Sequence, residues 1–264
     1  MKFFIPLYYS FFTRINKMTT LISYIYTFLL INFLLVYLVL GTERSIQFKE
    51  NILIFILAFI SLNIVYEIGY LYNDYYTVKK EKNPTLRLSN EENLFLNDFF
   101  PLLVAFRVFV VIIIILLLSN FQNINLNLFI LMLSLLNLSY ALHNYFRNRM
   151  NLVTIFLLMF FKYISIPLLF MKTICNIYIL AIFLLTFPLV RTLLFTVHER
   201  VRVKLIDKKK IVEFRVKYFF IESILGLILK FFSNKMIYLF YFSFYFFVFY
   251  FLFFIFKYLR KRRV

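Results

Sequence analysis

Four oxygen-bearing side chains lie close together in one short stretch: Asn73, Asp74, Thr77 and Glu81. On a helix, the positions i, i+1, i+4 and i+8 point toward one rim. Carboxylate and amide oxygens suit Mg²⁺, which binds few carboxylates and completes its coordination shell with water and substrate phosphate. The spacing therefore predicts a metal site, with Asn73, Asp74 and Glu81 as ligands.

Basic residues accompany these oxygen ligands. Lys79, Lys80 and Arg87 could hold the phosphate oxygens that a metal leaves without a counter-charge. An ordinary charged loop would also contain Lys and Glu. However, Asn-Asp precedes the Lys run and Asn-Pro-x-x-Arg follows it, and this order favours a phosphate site.

A further acidic residue, Glu67, lies seven positions before Asp74, inside an apolar block. An ionisable group in a membrane span is costly and usually faces a polar cavity or a partner of opposite charge. Arg107 and Arg191 are the candidate partners. Two interpretations stay open at this point, an ion pair that locks two helices together and a ligand site.

Eight apolar blocks must position these groups. Each is long enough, or nearly so, to cross a hydrocarbon core of about 30 Å as a helix. They lie at about 21–40, 52–72, 99–118, 126–142, 152–171, 177–197, 211–229 and 237–258. With 63% hydrophobic residues, the pattern predicts an all-α, polytopic transmembrane bundle forming a single integral-membrane domain over residues 1–264. The seventh block begins with charged residues and could start as an interfacial helix.

Segments rich in Lys and Arg alternate with poorer ones along the chain. The positive-inside rule then places both termini, and the loops after spans two, four and six, in the cytoplasm. We expect an integral protein of a bacterial inner membrane. The net charge is +18. The Lys and Arg residues that produce it lie between the apolar blocks, where we expect them to contact anionic lipid headgroups rather than nucleic acid. The expected partners are therefore membrane lipids.

The stretch from Asn73 to Glu81 resembles the first aspartate-rich motif of the UbiA-type intramembrane prenyltransferases, Asn-Asp-x-x-Asp-x-x-x-Asp, at the end of their second helix. Asn73 and Asp74 match this motif, Glu81 replaces its last Asp, and Thr77 replaces its central Asp. Residues 83–87 resemble the His/Asn-Pro-x-x-Arg element that follows the motif in some members.

Two later segments stand where that family has other functional residues. After span four, Tyr140 and His143 with the arginines that follow resemble the family's Tyr-then-Lys/Arg signature. The segment after span six lies where the family has its second aspartate-rich motif, but its acidic residues are spaced differently from those of the family. The resemblance implies phosphate binding by Arg147, Arg149, Arg200 and Lys204, and metal binding by Glu199 and Asp207.

The same resemblance implies a helical bundle around a central cavity that holds a polyprenyl diphosphate. Mg²⁺ and cations would stabilise the leaving diphosphate, while an apolar cavity would protect the allylic cation until an acceptor captures it. Asn73, Asp74 and Glu81 would be the catalytic residues. The expected activity is thus transfer of a polyprenyl group, and replacing Asp74 or Glu81 with Ala should abolish it.

Two alternatives remain. The excess of cations over carboxylates would suit a glycosyl or phosphoribosyl transferase that uses a polyprenyl phosphate in envelope polysaccharide synthesis. The second alternative is a non-catalytic membrane protein or a small transporter, in which Glu67, Arg107 and Arg191 would line a pathway. In a transporter, Glu67→Gln should stop substrate flux.

Overall fold

The computed structural model describes residues 2–43, 48–80, 85–146, 148–171, 184–197 and 205–262, and in these ranges the regular structure is helical. Helices satisfy every backbone hydrogen bond within their own segment, as a chain in lipid requires. The chain divides into two compact units. Unit 1 is Met1–Phe146 with Phe161–Ile174, and unit 2 is Arg147–Phe160 with Cys175–Val264.

Unit 1 contains the N-terminal helices and the first long apolar ones. Its helices are α1 (Tyr8–Arg14), α2 (Met18–Tyr24), α3 (Leu30–Glu43), α4 (Phe48–Tyr72), α5 (Asn90–Leu118) and α6 (Leu126–Tyr145). A π-helical turn (Ile25–Leu29) joins α2 to α3, and another (Asn73–Thr77) extends α4 into a short 3-10 turn, Val78–Lys80.

Helix α7 (Asn151–Phe170) contributes to both units. Unit 2 continues with a π-helical turn (Leu185–Leu189) and α8 (Val190–Phe195), then a 3-10 turn (Lys208–Lys210) and α9 (Ile211–Lys230). A last 3-10 turn (Asn234–Met236) leads into α10 (Ile237–Arg262).

In the described ranges, six helices are long and apolar enough to span a membrane. They are Met18–Leu40, Lys49–Thr77, Asn90–Leu118, Leu126–Tyr145, Asn151–Phe170 and Ile237–Phe256, and each overlaps a predicted span. The protein is therefore an integral membrane protein.

Of the other two predicted spans, 177–197 lies partly outside the described residues. The span 211–229 corresponds to α9, which carries the exposed pair Lys217–Glu213 (2.7 Å) in its first turns. The count of eight stays a prediction.

Helix α5 begins nine residues before the predicted start at 99 because a capping box fixes its N-terminus. The Ser89 hydroxyl accepts from the Glu92 backbone N–H (3.2 Å), and the Glu92 carboxylate accepts from the Ser89 N–H (2.9 Å). These two bonds satisfy donors that a helix start leaves free. The first turns of α5 are polar, so hydropathy alone places the start too late.

Polar side chains connect the apolar helices of unit 1. The Tyr24 hydroxyl donates to Asn63 Oδ1 (2.8 Å), which joins α2 to α4. The Tyr163 hydroxyl donates to the Thr27 carbonyl (3.0 Å), which joins α7 to the π-helical turn. Between membrane helices such bonds add specificity to van der Waals packing. The first of these bonds involves α4, the helix that leads to Asp74.

Unit 2 is built on a close contact between α9 and α10. A Cβ placed on Gly226 of α9 would lie 2.5 Å from the backbone nitrogen of Phe240, so only glycine lets the two backbones approach this far. Nearby, the ring of Phe219 stacks on Phe246 (4.9 Å between centroids) and on Tyr250 (5.6 Å). The antiparallel pair thus has a tight crossing and an aromatic seam.

Gly226→Ala should lower the stability of unit 2. Backbone atoms cannot rotate away from the new methyl group, so the helices must separate; we expect a net loss of about 1–2 kcal/mol after the gain in helix propensity. The measurement is the thermal midpoint in detergent. Leu227→Ala, at a side chain that is 42% exposed, is the control and should change it little. An equal or higher midpoint for Gly226→Ala would contradict the close crossing.

Candidate functional site

The carboxylate of Asp74 lies at the end of α4, on the π-helical turn Asn73–Thr77, and its side chain is only 1% exposed. Its Oδ2 accepts from the Tyr9 hydroxyl (2.6 Å) and from Arg14 Nη2 (2.5 Å). Its Oδ1 accepts from Asn73 Nδ2 (2.9 Å) and from Arg87 Nη1 (3.2 Å). We call these five residues the Asp74 cluster. Four donors saturate this one carboxylate.

The Asp74 cluster carries two positive charges and one negative charge. Burial opposes the charge on Arg14, but the Asp74 carboxylate, together with smaller contributions from the surrounding tyrosines, outweighs that effect and raises the pKa of the guanidinium. Burial, reinforced by the same carboxylate, raises the pKa of the Tyr9 phenol, so this hydroxyl stays a neutral donor. The cluster is therefore a positively charged site held together by a single anion.

Both arginines have capacity beyond their bonds to Asp74. The side chains of Arg14 and Arg87 are 19% and 28% exposed. Arg14 Nε is buried and has no hydrogen-bond partner within the described residues. A guanidinium has five N–H donors in a rigid fork, and a buried donor without an acceptor is unfavourable. These spare donors are suited to an incoming anion.

Aromatic rings surround the Arg14 side chain. Its guanidinium lies 4.4 Å from the centroid of the Tyr70 ring, a cation–π distance. Tyr70, Tyr66 and Tyr140 contact one another edge to face, with centroids 4.9–5.9 Å apart. The Tyr140 ring lies directly over Gly69, where a Cβ would clash with it. Gly69 therefore lets α6 bring Tyr140 against α4, beside the arginine.

A further cation lies near the end of the same helix. Lys79 is exposed, and its Nζ lies 4.3 Å above the ring centroid of Tyr75. The Tyr75 hydroxyl in turn donates to Asn97 of α5. Lys79 is thus an exposed cation five positions beyond Asp74 along the chain.

A buried ion pair between Glu67 and Arg107 positions the N-terminal part of the cluster. Glu67 Oε2 accepts from Arg107 Nε (3.0 Å) and from the Leu7 N–H (2.9 Å), while Oε1 accepts from the Ser10 N–H (2.8 Å). Arg107 Nη2 also donates to the Phe3 carbonyl (2.9 Å). The pair caps the start of α1, so it sets where Tyr9 and Arg14 lie.

Of the two interpretations of Glu67, the structure therefore favours the ion pair that locks helices together. Both side chains of the Glu67–Arg107 pair are 0% exposed. The other candidate partner, Arg191, is exposed on α8, so its prediction as a buried partner is wrong.

An apolar contact supports the same arrangement. Residues of the N-terminal segment, α4 and α5 form one buried cluster, composed of Phe3, Tyr9, Leu71, Tyr75, Leu96, Phe100 and Leu103. Because the N-terminal segment both packs and hydrogen-bonds there, it forms a structural part of unit 1.

Some predicted site residues are brought together and others are not. Asn73, Asp74 and Arg87 meet in the Asp74 cluster, and Lys79 lies on the next turn of the chain. For Lys80 the structure describes only the backbone. Five predicted site residues lie outside the described ranges: Glu81, Arg147, Glu199, Arg200 and Lys204.

The two remaining predicted residues belong to unit 2 and are exposed. Asp207 Oδ1 accepts from the Lys209 N–H (2.9 Å) and caps the 3-10 turn that precedes α9. Arg149 lies in the turn before α7. A shared site containing Asp74 together with Glu199 or Asp207 stays a prediction.

The oxygen atoms of the described residues in the Asp74 cluster do not form a suitable ligand set for Mg²⁺. Both oxygens of Asp74 are occupied by the arginines, Tyr9 and Asn73, and Asn73 Oδ1 itself accepts from the Thr77 hydroxyl (2.9 Å). Among the described residues no group of three or more His, Cys, Asp or Glu could hold a metal. A divalent cation at Asp74 would have to displace two guanidinium groups. Mg²⁺ binding stays a prediction that depends on Glu81 and Glu199.

Sequence reasoning missed Tyr9 and Arg14 as members of the site. Arg14 was interpretable only as one of three basic residues before the first span, which is typical of a topology signal. Its contact with Asp74 joins positions 60 apart in the chain. No local spacing indicates such a pairing.

No protein-family model, curated protein or solved structure matches this chain.

Proposed function

We propose that this protein is a membrane-embedded transferase whose Asp74 cluster binds the phosphate end of a polyprenyl (di)phosphate. The observation that carries the proposal is the convergence of Arg14 and Arg87 on one carboxylate at the end of a membrane span. Two guanidinium groups and one carboxylate leave a net positive charge, and Arg14 Nε still lacks an acceptor.

Arginine forks match the geometry of phosphate oxygens and bind them through paired, charge-assisted hydrogen bonds. Asp74 holds the two side chains in place before the ligand arrives, which reduces the ordering that binding requires. Lys79, exposed five positions beyond Asp74 along the chain, would add a third cation. The cluster therefore suits a group with more than one negative charge.

The membrane spans favour a ligand whose phosphate group is attached to a lipid chain. An isoprenoid chain can lie against apolar helices while its phosphate reaches the charged end of α4. The resemblance of residues 73–87 to the UbiA-type motif suggests the reaction. The bond between the allylic carbon and the diphosphate oxygen breaks, the arginines stabilise the departing diphosphate, and a nucleophile on the acceptor forms the new bond to carbon.

Arg14→Met and Arg87→Met should each weaken binding of a labelled polyprenyl diphosphate about tenfold to a hundredfold, because a hydrogen bond to a charged group contributes about 1.5–3 kcal/mol. Binding and product formation would be measured with the full-length protein in lipid nanodiscs. Lys209→Met removes an exposed cation of unit 2 and is the charge-matched control. Unchanged binding in both arginine variants would contradict the proposal.

A second candidate is glycosyl or phosphoribosyl transfer that uses a polyprenyl monophosphate. It is favoured by the excess of guanidinium over carboxylate groups in the Asp74 cluster, which can hold a monophosphate without a metal. Parallel assays with monophosphate and diphosphate lipids, each with Mg²⁺ or with a chelator, separate the candidates. Activity confined to the diphosphate and lost with the chelator would favour the metal-dependent prenyl transfer expected from the motif.

The transporter alternative depends on Glu67 taking part in a pathway. Its carboxylate already accepts from one arginine and two backbone amides. This arrangement leaves little capacity for a passing substrate, so we place the function at Asp74.

A further inference from the structure

Unit 2 contains a buried carboxylic acid without an ionic partner. Glu222, on α9, is 4% exposed. Its Oε1 accepts from the hydroxyl of Thr186 (3.3 Å), on the π-helical turn Leu185–Leu189. The hydroxyl of Ser243, on α10, is 0% exposed and lies beside the same carboxyl group. Three separate elements thus direct oxygens toward one point.

Two of these oxygens, Glu222 Oε2 and Ser243 Oγ, are buried and make no hydrogen bond of normal geometry within the described residues. The Ser243 hydroxyl nevertheless lies close enough to the carboxyl to favour its charged form, but it is neutral and cannot balance that charge. An unpaired polar atom in an apolar interior is unfavourable, and an unpaired carboxylate is far more so. The site therefore requires something positive, either a proton on the carboxyl or a bound cation.

The charged groups that the structure describes near Glu222 do not supply that positive charge. On α9 itself, Lys217 pairs with Glu213 (2.7 Å), and the Arg215 guanidinium lies over the Tyr250 ring of α10 (4.9 Å). The phenol of Tyr218 donates to the Leu185 carbonyl (2.9 Å).

From the elements packed around Glu222, the described groups that face its carboxyl are neutral ones. They are the hydroxyls of Thr186 and Ser243 and the phenol of Tyr218. No side-chain cation in the described part of unit 2 forms an ion pair with it.

We propose that Glu222, Thr186 and Ser243 form a binding site for one small monovalent cation, a proton or Na⁺. The oxygens are hard ligands, and a single carboxylate balances a single positive charge, whereas a divalent ion would need more carboxylates. When Na⁺ binds, the carboxyl releases its proton to water, so the site is neutral in both states. Carboxyls in membrane spans commonly mark such ion pathways, and α9 corresponds to the seventh predicted span, 211–229.

The backbone beside Thr186 fits this role. It forms a π-helical turn that contains Pro188, and turns of this kind recur at functional sites because they disturb the regular hydrogen-bond ladder. The Leu185 carbonyl already accepts from a side chain, Tyr218. Carbonyl oxygens in this turn are therefore accessible to partners other than the helix backbone.

Dicyclohexylcarbodiimide tests the proposal, since it modifies protonated carboxyls in apolar surroundings. The full-length protein in detergent would be treated over a pH series, in NaCl or in choline chloride, and modification of Glu222 quantified by mass spectrometry. We expect modification to fall about tenfold per pH unit above its midpoint as the proton leaves. Protection by NaCl relative to choline chloride would identify Na⁺ as a ligand; equal modification in both salts would identify the proton alone.

Modification that is absent or independent of pH would overturn the proposal. Glu67 is the internal control, because its carboxylate is bonded to Arg107 and to two backbone amides and should remain unmodified. Ser243→Ala should move the midpoint of modification to higher pH, since the hydroxyl favours the charged form. A purely structural Ser243 would leave that midpoint unchanged, and this would remove Ser243 from the site.

Discussion

Replacing Arg107 with Ala should lower the free energy of unfolding by about 3–5 kcal/mol, because it leaves the Glu67 carboxylate buried without a counter-ion. Both side chains of the pair are 0% exposed, so solvent cannot compensate. The Phe3 carbonyl loses its donor as well. We expect a large drop in the thermal midpoint in detergent, together with protease sensitivity near α1.

The double variant Glu67→Gln with Arg107→Met tests the cause of that loss. It removes both charges while keeping side chains of similar volume, so it should recover much of the stability that Arg107→Ala loses. Arg191→Ala, at the exposed arginine of α8, is the control and should have little effect. An Arg107→Ala protein as stable as the parent would show that the pair does not hold the N-terminal segment.

Asp74→Asn should destabilise the protein by about 2–3 kcal/mol, less than the Arg107 change because Arg14 and Arg87 are partly exposed. The two guanidinium groups would then face each other without their shared anion. Pyrophosphate should restore the thermal midpoint in the presence of a chelator, since the freed arginines can bind it directly. Ligand at a hundredfold excess over its Kd contributes about 2.7 kcal/mol.

The combined variant Asp74→Asn with Arg87→Met provides the matched control. It lacks one side of the anion site, so pyrophosphate should stabilise it far less than Asp74→Asn alone. If pyrophosphate stabilises Asp74→Asn only when Mg²⁺ is present, the metal-based interpretation of the motif would replace the arginine-based one. The comparison therefore distinguishes the two chemistries at the same carboxylate.

The sequence predicted the features that depend on residues close together in the chain. Six apolar runs became helices long enough to span a membrane because hydropathy over about twenty residues decides that outcome. Asn73 and Arg87 contact Asp74, and a local pattern could bring these three predicted residues together because they lie within fifteen residues of one another.

What depended on distant contacts was not predictable in the same way. Tyr9 is 65 positions from Asp74, and Arg14 is 60 positions from it. The pairing of Glu67 with Arg107 rather than Arg191 also depends on how helices pack, which hydropathy does not specify. The Glu222 site joins three elements whose polar residues each look ordinary in isolation.

The docking of the N-terminal segment has a consequence for biosynthesis. The backbone of Phe3 bonds to Arg107, a residue made 104 positions later. At about 5–20 residues per second, a ribosome needs roughly 5–20 s to cover that interval. For the first part of it, until Glu67 and Asp74 are made, the amides of Leu7 and Ser10 and the charge of Arg14 have no final partners. Helix α1 must therefore wait for the second and third spans, and it reaches its native position only after both have been made.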